Sequence, residues 1–514
     1  MITMMQRTPY SRLRVLVSAS VAALGFLLIL GYVSIGHRAV KFIYDNDFLS
    51  SRMMSGKSTT PLRAYADSMD DKVLKLAVVL VVLAIALLLS RNLLGVALLL
   101  ISILVTSVGA FLLLDIFPPL ASALHFNLIP YYQYRLENVG DPELVFRGKP
   151  LTHSESPNFR GWAYSPSYGI EERGETVTID TDEAGFRNKS GLRSADVVIL
   201  GSSFPWYGSN LDDTYAKRLE RHLGGMTTLN LGLGGYGPFE FVKVFQRYGL
   251  PKKPQFAIFT FHTGDVDTYL RQYITGEEHP RVTNLKTVFF GSFWSRWRLA
   301  AGQVSQIAGN AFWTPLQTGL KRAMSTSSIH PDVAVLRLPG NRTERIVFLT
   351  RHTGRSTEES LNSPTWQLFE KILIDFRDLC ERNQVIPILA YIPWSTEVYA
   401  EYSTLDSGAN WLEARESMIA TGEMDEKAAR AVASRAGIGL VSFLPPFKDA
   451  ARQGKLVYRR LDDHWNSEGA EIAAEVTAQA LRHPLQNVDP FLSTAGFSLK
   501  EPVHALIDDP SGTR

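Results

Sequence analysis

An α/β domain with a doubly wound parallel sheet, carried behind three membrane-spanning helices, is the architecture this sequence predicts. Three observations predict it. Nearly all the long apolar runs fall in the first ~120 residues, a composition shift that marks a domain boundary. Behind them come short apolar runs that do not alternate with polar residues, the pattern of strands buried on both faces. Helical patterns separate those runs, and strand-helix alternation implies a parallel sheet with helices on both sides.

The membrane part comes first. Residues 15–36 carry no charge, and their length suits a helix crossing a hydrocarbon core of ~30 Å. Residues 73–90 are interrupted only by Lys75, near the start, where the stem can snorkel. Residues 93–114 are again uncharged. The first run is too long for a cleaved signal peptide, and no small-x-small cleavage site follows it. Arg7, Arg12 and Arg14 precede the first span without an acidic residue among them, which favours an inside start. Arg91 lies at the start of the third span, Asp115 at its end, and no Lys or Arg follows until Arg135. The chain after Pro118 is therefore expected outside, facing the periplasm or the cell exterior. Residues 1–117 read as the membrane domain and 118–195 as a polar, proline-dotted linker leading into the sheet.

The doubly wound domain is expected over 196–485. Its strands are read at Val197–Leu200, Thr228–Leu233, Phe256–Phe261, Val385–Ile392 and Gly439–Leu444. Its helices are read at Thr214–Leu223, Pro238–Gln246, Trp366–Arg382, Glu423–Ala436 and Ser467–Leu481. In the third helix, Leu368, Ile372, Phe376 and Leu379 fall on one face. At about 271–364 the rhythm lapses into an aromatic-rich insertion that includes Phe289, Phe290, Phe293, Trp294 and Trp297, with Phe312 and Trp313 further on. Such residues build the private core of a helical cap, or stack on sugars, or face lipid headgroups beside Arg296 and Arg298. Residues 486–514 read as a polar tail.

Composition excludes several functions. The formal net charge is +2 with no long basic run, so no nucleic-acid partner is expected. Cys380 is the single cysteine, which rules out an intramolecular disulfide and a cysteine zinc site. The eleven histidines show no His-x-His or His-Glu-x-x-His spacing, so no metal or other cofactor is expected. The glycine-rich Gly232–Gly237 turn lacks the lysine-serine pair of a P-loop and the register of a dinucleotide fingerprint.

In an open parallel sheet, ligands bind outside the carboxyl ends of the strands. The first strand ends in Gly201-Ser202-Ser203-Phe204, the second in NLGLGGYG, the third in FHTGDVD, and the last precedes RRLDDHWNSEG. A serine hydroxyl needs a base to remove its proton, and a histidine oriented by a carboxylate is such a base near neutral pH. Ser203 is placed as the nucleophile, His464 as the base and Asp462 as the orienting carboxylate. The oxyanion formed on a substrate carbonyl needs donors aimed at it, and glycine-rich backbone at 232–237 can approach closely. Alternatively the Asp462-Asp463-His464 cluster is a solvated turn, with Ser467 and Glu471 capping the next helix.

The combination resembles the SGNH (GDSL-type) serine hydrolase family. The first block, VVILGSSFPWYGSNLDDTYAKRLE, has Ser202 where members usually carry Asp, and Ser203 at the nucleophile. The second, LNLGLGGYGP, puts Gly235 at the oxyanion-hole glycine. The third, Gly264-Asp265-Val266-Asp267, puts Asp265 where members carry an Asn that donates to the oxyanion; an ionised Asp265 only accepts, and donates only if its pKa is raised. Neighbouring donors there are His262 and Thr263. The last block, YRRLDDHWNSEGAEIAAE, puts Asp462 and His464 at catalytic positions, and DEAGFRN at Asp182–Asn188 also resembles membrane-associated members. The resemblance implies a flavodoxin-like SGNH domain with a Ser203-His464-Asp462 triad and an oxyanion hole at Ser203, Gly235 and Asp265. It implies an ester hydrolase or O-acyltransferase of the cell envelope, acting on an acylated carbohydrate or another ester. The bilayer is the expected partner, with a separate membrane acyl-donor protein in the transferase case. The alternative is a catalytically inactive, membrane-tethered binding or assembly protein on the same fold.

Overall fold

The structure is a computed structural model that describes residues 93–116, 137–161, 170–276, 280–304, 333–348, 356–404 and 410–482. The expected spans 15–36 and 73–90 and the tail lie outside these. Leu93–Ile116 (α1) is one helix of 24 residues. Its Leu104, Val105, Leu112, Leu113 and Ile116 are exposed. Among the described residues, no helix is long and apolar enough to cross a membrane.

Two antiparallel hairpins occupy the segment read as linker: β1 (Asn138–Asp141) with β2 (Val145–Gly148), and β3 (His153–Phe159) with β4 (Glu175–Asp180). Their sequences are mostly polar and short, so period-2 alternation is weak, and that signal is what a strand reading needs. The core sheet follows. It comprises β5 (Val197–Leu200), β6 (Thr228–Asn230), β7 (Phe256–Phe261), β10 (Ile386–Tyr391) and β12 (Gly439–Ser442). Every pairing in it is parallel, in the order β12-β10-β7-β5-β6. The chain thus moves from β5 outward to β6, then crosses back to β7 and continues the other way, as expected for a flavodoxin-like sheet. The order reverses between β5 and β7, where ligands bind in such sheets.

All residues of β5, β7 and β10 are buried, because helices cover both faces. After β5 come α2 (Ser203–Trp206) and α3 (Tyr215–Leu223); α4 (Pro238–Val244) follows β6. Beyond β7 lie α5 (Pro364–Arg382), α6 (Ser395–Tyr399), α7 (Asn410–Ala436), α8 (Leu444–Arg452) and α9 (Ser467–Arg482). Helix α5 packs on β10 and on α4 and α7, whereas α9 packs on α3, α8 and β12. Strands and helices agree with the sequence reading within a few residues, with two exceptions. Strand β6 ends at Asn230, although Leu231 and Leu233 still donate to Ile199 and Gly201 at 2.8 and 3.1 Å. Helix α7 begins at Asn410, well before Glu423.

The insertion is mixed rather than a purely helical cap. It contributes a helix at Pro280–Phe290 and the strands β8 (Val333–Leu338) and β9 (Arg342–Val347), which form an antiparallel sheet with β11 (Ser403–Thr404) from beyond the insertion. Leu285 and Val288 are buried, but Phe290 and Trp294 are more than half exposed. Phe312 and Trp313 fall outside the described residues.

Candidate active site

Helices α3 and α9 bring the two ends of the site together. The Tyr215 hydroxyl and Thr477 Oγ1 lie 2.8 Å apart across their contact. Arg218 of α3 is nearly buried and donates to Asp213 at 2.9 Å and to Ser467 and Glu471 of α9. Trp465, just before α9, sits against Phe204, Tyr215 and Phe443 with ring centroids 5.1–6.3 Å apart. A large buried ring next to His464 fixes the loop's depth.

The 459–464 loop is closed by a bridge between Tyr458 and Trp465 and by Arg459 N–H donating to the His464 carbonyl at 3.0 Å. Asn466, not Ser467, caps α9: its Oδ1 accepts from Gly469 N–H at 3.0 Å. The Ser467 hydroxyl is taken by Arg218 instead.

His464 stands between the two residues the sequence pairs with it. Its Nε2 lies 2.6 Å from Ser203 Oγ and its Nδ1 2.6 Å from Asp462 Oδ1. Asp462 is buried, while Ser203 and His464 are half-buried. The neighbouring Asp463 turns away and accepts from Ser395 at 3.0 Å, which separates the roles of two adjacent aspartates that the sequence leaves equivalent.

Two residues that sequence reasoning missed complete the clamp. The Tyr207 hydroxyl donates to Asp462 Oδ2 at 2.8 Å, and its ring stacks on His464 with centroids 4.5 Å apart and planes 7° from parallel. Burial and then the Asp462 charge hold the Tyr207 hydroxyl far above its ordinary pKa, so it stays a donor. The Arg459 guanidinium covers the outer face of Tyr207 at 4.9 Å and pairs with Glu175 of β4. Tyr207 is in the quoted nucleophile block, but nothing in its spacing marks it as a partner of residue 462.

The DEAGFRN stretch braces the nucleophile turn. Asp182 Oδ1 accepts from Ala184 and Phe186 N–H, both at 2.9 Å, which shapes the turn. Arg187 is 1% exposed. It donates to the carbonyls of Trp206, Gly208 and Thr178 at 2.7, 3.0 and 2.6 Å, so it ties the end of α2 to β4. Burial pushes its pKa down to about 10, still well above neutrality. Asn188 reaches the backbone of Asn230 at 2.8 and 2.9 Å, and Asn230 Nδ2 in turn donates to Pro205 at 2.8 Å.

Two glycines have steric reasons. A Cβ on Gly201 would lie 2.0 Å from Thr260 Oγ1 and 2.8 Å from Pro205 Cγ, so a side chain there would displace the nucleophile turn from β7. Gly235 has φ +97°, a conformation that glycine alone adopts readily.

Asp265 lies at the switch point, 0% exposed. Its Oδ2 accepts from Ser202 Oγ at 3.3 Å and from His262 N–H at 3.2 Å. Its Oδ1 accepts no hydrogen bond among the described residues; His262 Nε2 stands 3.3 Å away without the alignment of one. Burial pushes the carboxyl pKa up to about 8 against the two donors to Oδ2. His262 Nδ1 accepts from Gly264 N–H at 3.0 Å, so the ring proton resides on Nε2. The His262 ring packs edge-on against Phe204 and Trp394.

Ser203, Gly235, His262, Gly264, Asp265 and Trp394 line one cleft of about 300 Å³, with Ser202, Asp267, Thr268 and Tyr269. The described residues hold no group of side chains arranged to bind a metal.

A parallel sheet ordered in this way, with a serine, a histidine and an aspartate brought together beyond its carboxyl edge, defines the class as a doubly wound α/β domain of flavodoxin-like order. Residues 371–495 match the family described as SGNH hydrolase-like domain, acetyltransferase AlgX. That match supports an SGNH assignment and an esterase or acetyltransferase type of activity. No curated protein matches the chain. Solved structures with a likeness include LAE5, an alpha/beta hydrolase from the metagenome of Lake Arreo, at 17% identity over 56% of this chain and 97% of that one, TM-score 0.28. A putative GDSL-like lipase from Parabacteroides merdae is 11% identical over 56% and 97%, TM-score 0.29. The acetylxylan esterase Axe2 from Geobacillus stearothermophilus is 12% identical over 56% and 94%, TM-score 0.27. Likenesses this slight carry no functional weight.

Proposed function

We propose that the chain is a membrane-anchored acyl-transfer enzyme that cleaves a carbohydrate ester and passes the acyl group to water or to a second sugar hydroxyl. The observation that carries this reading is His464, bridging Ser203 and Asp462 at 2.6 Å on each side. Ser203 Oγ adds to the ester carbonyl as its proton passes to Nε2, and Asp462 stabilises the imidazolium through Nδ1. Collapse of the tetrahedral intermediate breaks the bond to the sugar oxygen, which takes the proton from Nε2. The incoming water or hydroxyl then gives its proton to Nε2 and attacks the acyl-serine, and collapse of the second intermediate breaks the bond to Ser203 Oγ, which takes the proton back from Nε2.

The oxyanion is assigned to the backbone N–H groups of Ser203 and Gly235 and to the Asp265–His262 pair. At neutral pH the Asp265 carboxyl is protonated, since burial pushes its pKa up to about 8. It therefore sets no negative charge against the oxyanion, and His262 presents its Nε2–H at the cleft wall. The same device, a carboxylic acid kept neutral by an apolar site, lets a protein use an aspartate where charge would repel.

The domain is proposed to face the cell exterior or periplasm. The arginines before residue 15 and the apolar exposed face of α1 support anchoring. In the transferase case the acyl donor is a separate membrane protein, because the three spans expected from the sequence are too few for an acyl importer.

The test is p-nitrophenyl acetate turnover by the full chain in detergent, with fluorophosphonate labelling. Ser203→Ala is expected to lose labelling and at least ~10³-fold in rate. Equal rates in the two proteins would leave the inactive binding-protein reading.

A further inference from the structure

A second cavity of about 200 Å³ adjoins the cleft, and Gly235 and Tyr269 line both. Its walls are the β2 end of the first hairpin and the insertion segment around Gln272, Tyr273 and Lys286. We propose that this cavity is the subsite that holds the sugar ring of the ester, a reading that rests on the proposed acyl-transfer function.

Three features favour a hydroxyl-rich ring. Among the described residues the Oε1 of Gln272 is buried without a hydrogen-bond partner, and leaving a buried acceptor unmade is costly unless a ligand donor meets it. Glu240 supplies a second acceptor: its carboxylate already takes Gly237 N–H at 3.1 Å and the Tyr273 hydroxyl at 3.3 Å. Tyr273 is half exposed and its ring is backed by Phe239 at 4.3 Å, so it offers a supported aromatic face to the C–H side of a pyranose. The volume of about 200 Å³ leaves room for one sugar ring.

The hairpin wall is strained towards this cavity. Val145 has φ +68°, a genuine outlier for a β-branched residue. Its neighbours Leu144 and Phe146 are both buried, and the Phe146 carbonyl accepts from Tyr236 OH at 2.7 Å. The preceding turn is pinned by Asp141, which accepts from Glu143 and Leu144 N–H at 3.0 and 3.1 Å and from Arg247 at 2.9 Å. With both flanks fixed, the backbone at 145 takes the strain. Such outliers cluster at ligand clamps. An acyl chain is the rival occupant, since Leu144, Val282 and Leu285 also line the cavity. The buried amide oxygen and the carboxylate argue against an alkyl guest.

Binding is the deciding measurement, made on the full chain in detergent with Ser203→Ala to stop turnover. Xylotriose and a trimannuronate serve as neutral and acidic probes in isothermal titration. At least one is expected to bind. Adding Gln272→Ala or Tyr273→Ala is expected to weaken it about five- to tenfold, while Tyr273→Phe, which keeps the ring, stays within about threefold. Thermal unfolding of each variant reports whether the fold is intact. The proposal is overturned if neither probe binds, if the substitutions leave affinity unchanged, or if, made with Ser203 in place, they lower only p-nitrophenyl octanoate turnover, which would make the cavity an acyl tunnel. Absence of Ser203-dependent esterase activity would instead sink the enzyme reading and leave this binding result standing.

Discussion

Replacing Asp265 by Asn should remove a loss of activity at alkaline pH. In the native protein the carboxyl is neutral below about 8, the value to which burial pushes it, and ionises above it. The charge then lies near Oδ1, 3.3 Å from His262 Nε2. A hydrogen bond of about 2.9 Å from that nitrogen puts the oxyanion roughly 6 Å from the carboxylate. At an effective dielectric of about 20, two like charges at that separation repel by roughly 3 kcal/mol, about a hundredfold in rate. The expected kcat/KM profile for p-nitrophenyl acetate is flat near neutrality, falls about tenfold by pH 9, and levels roughly a hundredfold down. Ser203→Ala measured at each pH supplies the blank for spontaneous hydrolysis. Asn keeps an acceptor for Ser202 and His262 N–H, so Asp265→Asn should be within a few-fold of native at pH 7 and should lack the fall. An unchanged alkaline limb in Asp265→Asn, or no limb near pH 8 in the native protein, would refute both the neutral carboxyl and its place beside the oxyanion.

Other expectations follow from single contacts. Tyr207→Phe removes the donor to Asp462 but keeps the stack on His464, and should lower kcat about tenfold or more with KM nearly unchanged, since bonds to charged groups contribute about 1.5–3 kcal/mol. Asp462→Asn should cost about 10³–10⁴ in kcat by favouring the wrong imidazole tautomer, whereas Asp463→Asn should stay within about threefold; steady-state kinetics separates the two. Arg187→Lys should lower stability by about 3 kcal/mol, because an ammonium cannot serve three carbonyls held by a planar fork, and thermal unfolding with retained secondary structure checks it.

The core sheet and the candidacy of Ser203, Asp462 and His464 were legible because their signals are local. Uninterrupted apolar runs announce doubly buried strands; Ser203 and Asp265 follow β5 and β7 within a few residues, and the Asp-Asp-His cluster lies just before α9. What stayed hidden depends on long-range contact. Nothing in RRLDDHW says that Asp462 turns inward and Asp463 outward; Ser395 and Tyr207 decide that, from distant elements. The hairpins at 138–180 escaped notice because polar strands lack a periodic apolar face. Asp265 read as a flaw in the third block until its complete burial supplied a reason for it to carry a proton.

Ser203 and His464 are 261 positions apart. Their hydroxyl and imidazole meet only when α9, the last of the described elements, docks on α3. Contacts of such long sequence separation form late. A growing polypeptide therefore carries an unactivated serine until that docking brings the imidazole to it. Truncation anywhere before residue 467 should yield a stretch of sheet with no chemistry, so that partial products of synthesis cannot attack esters on the way.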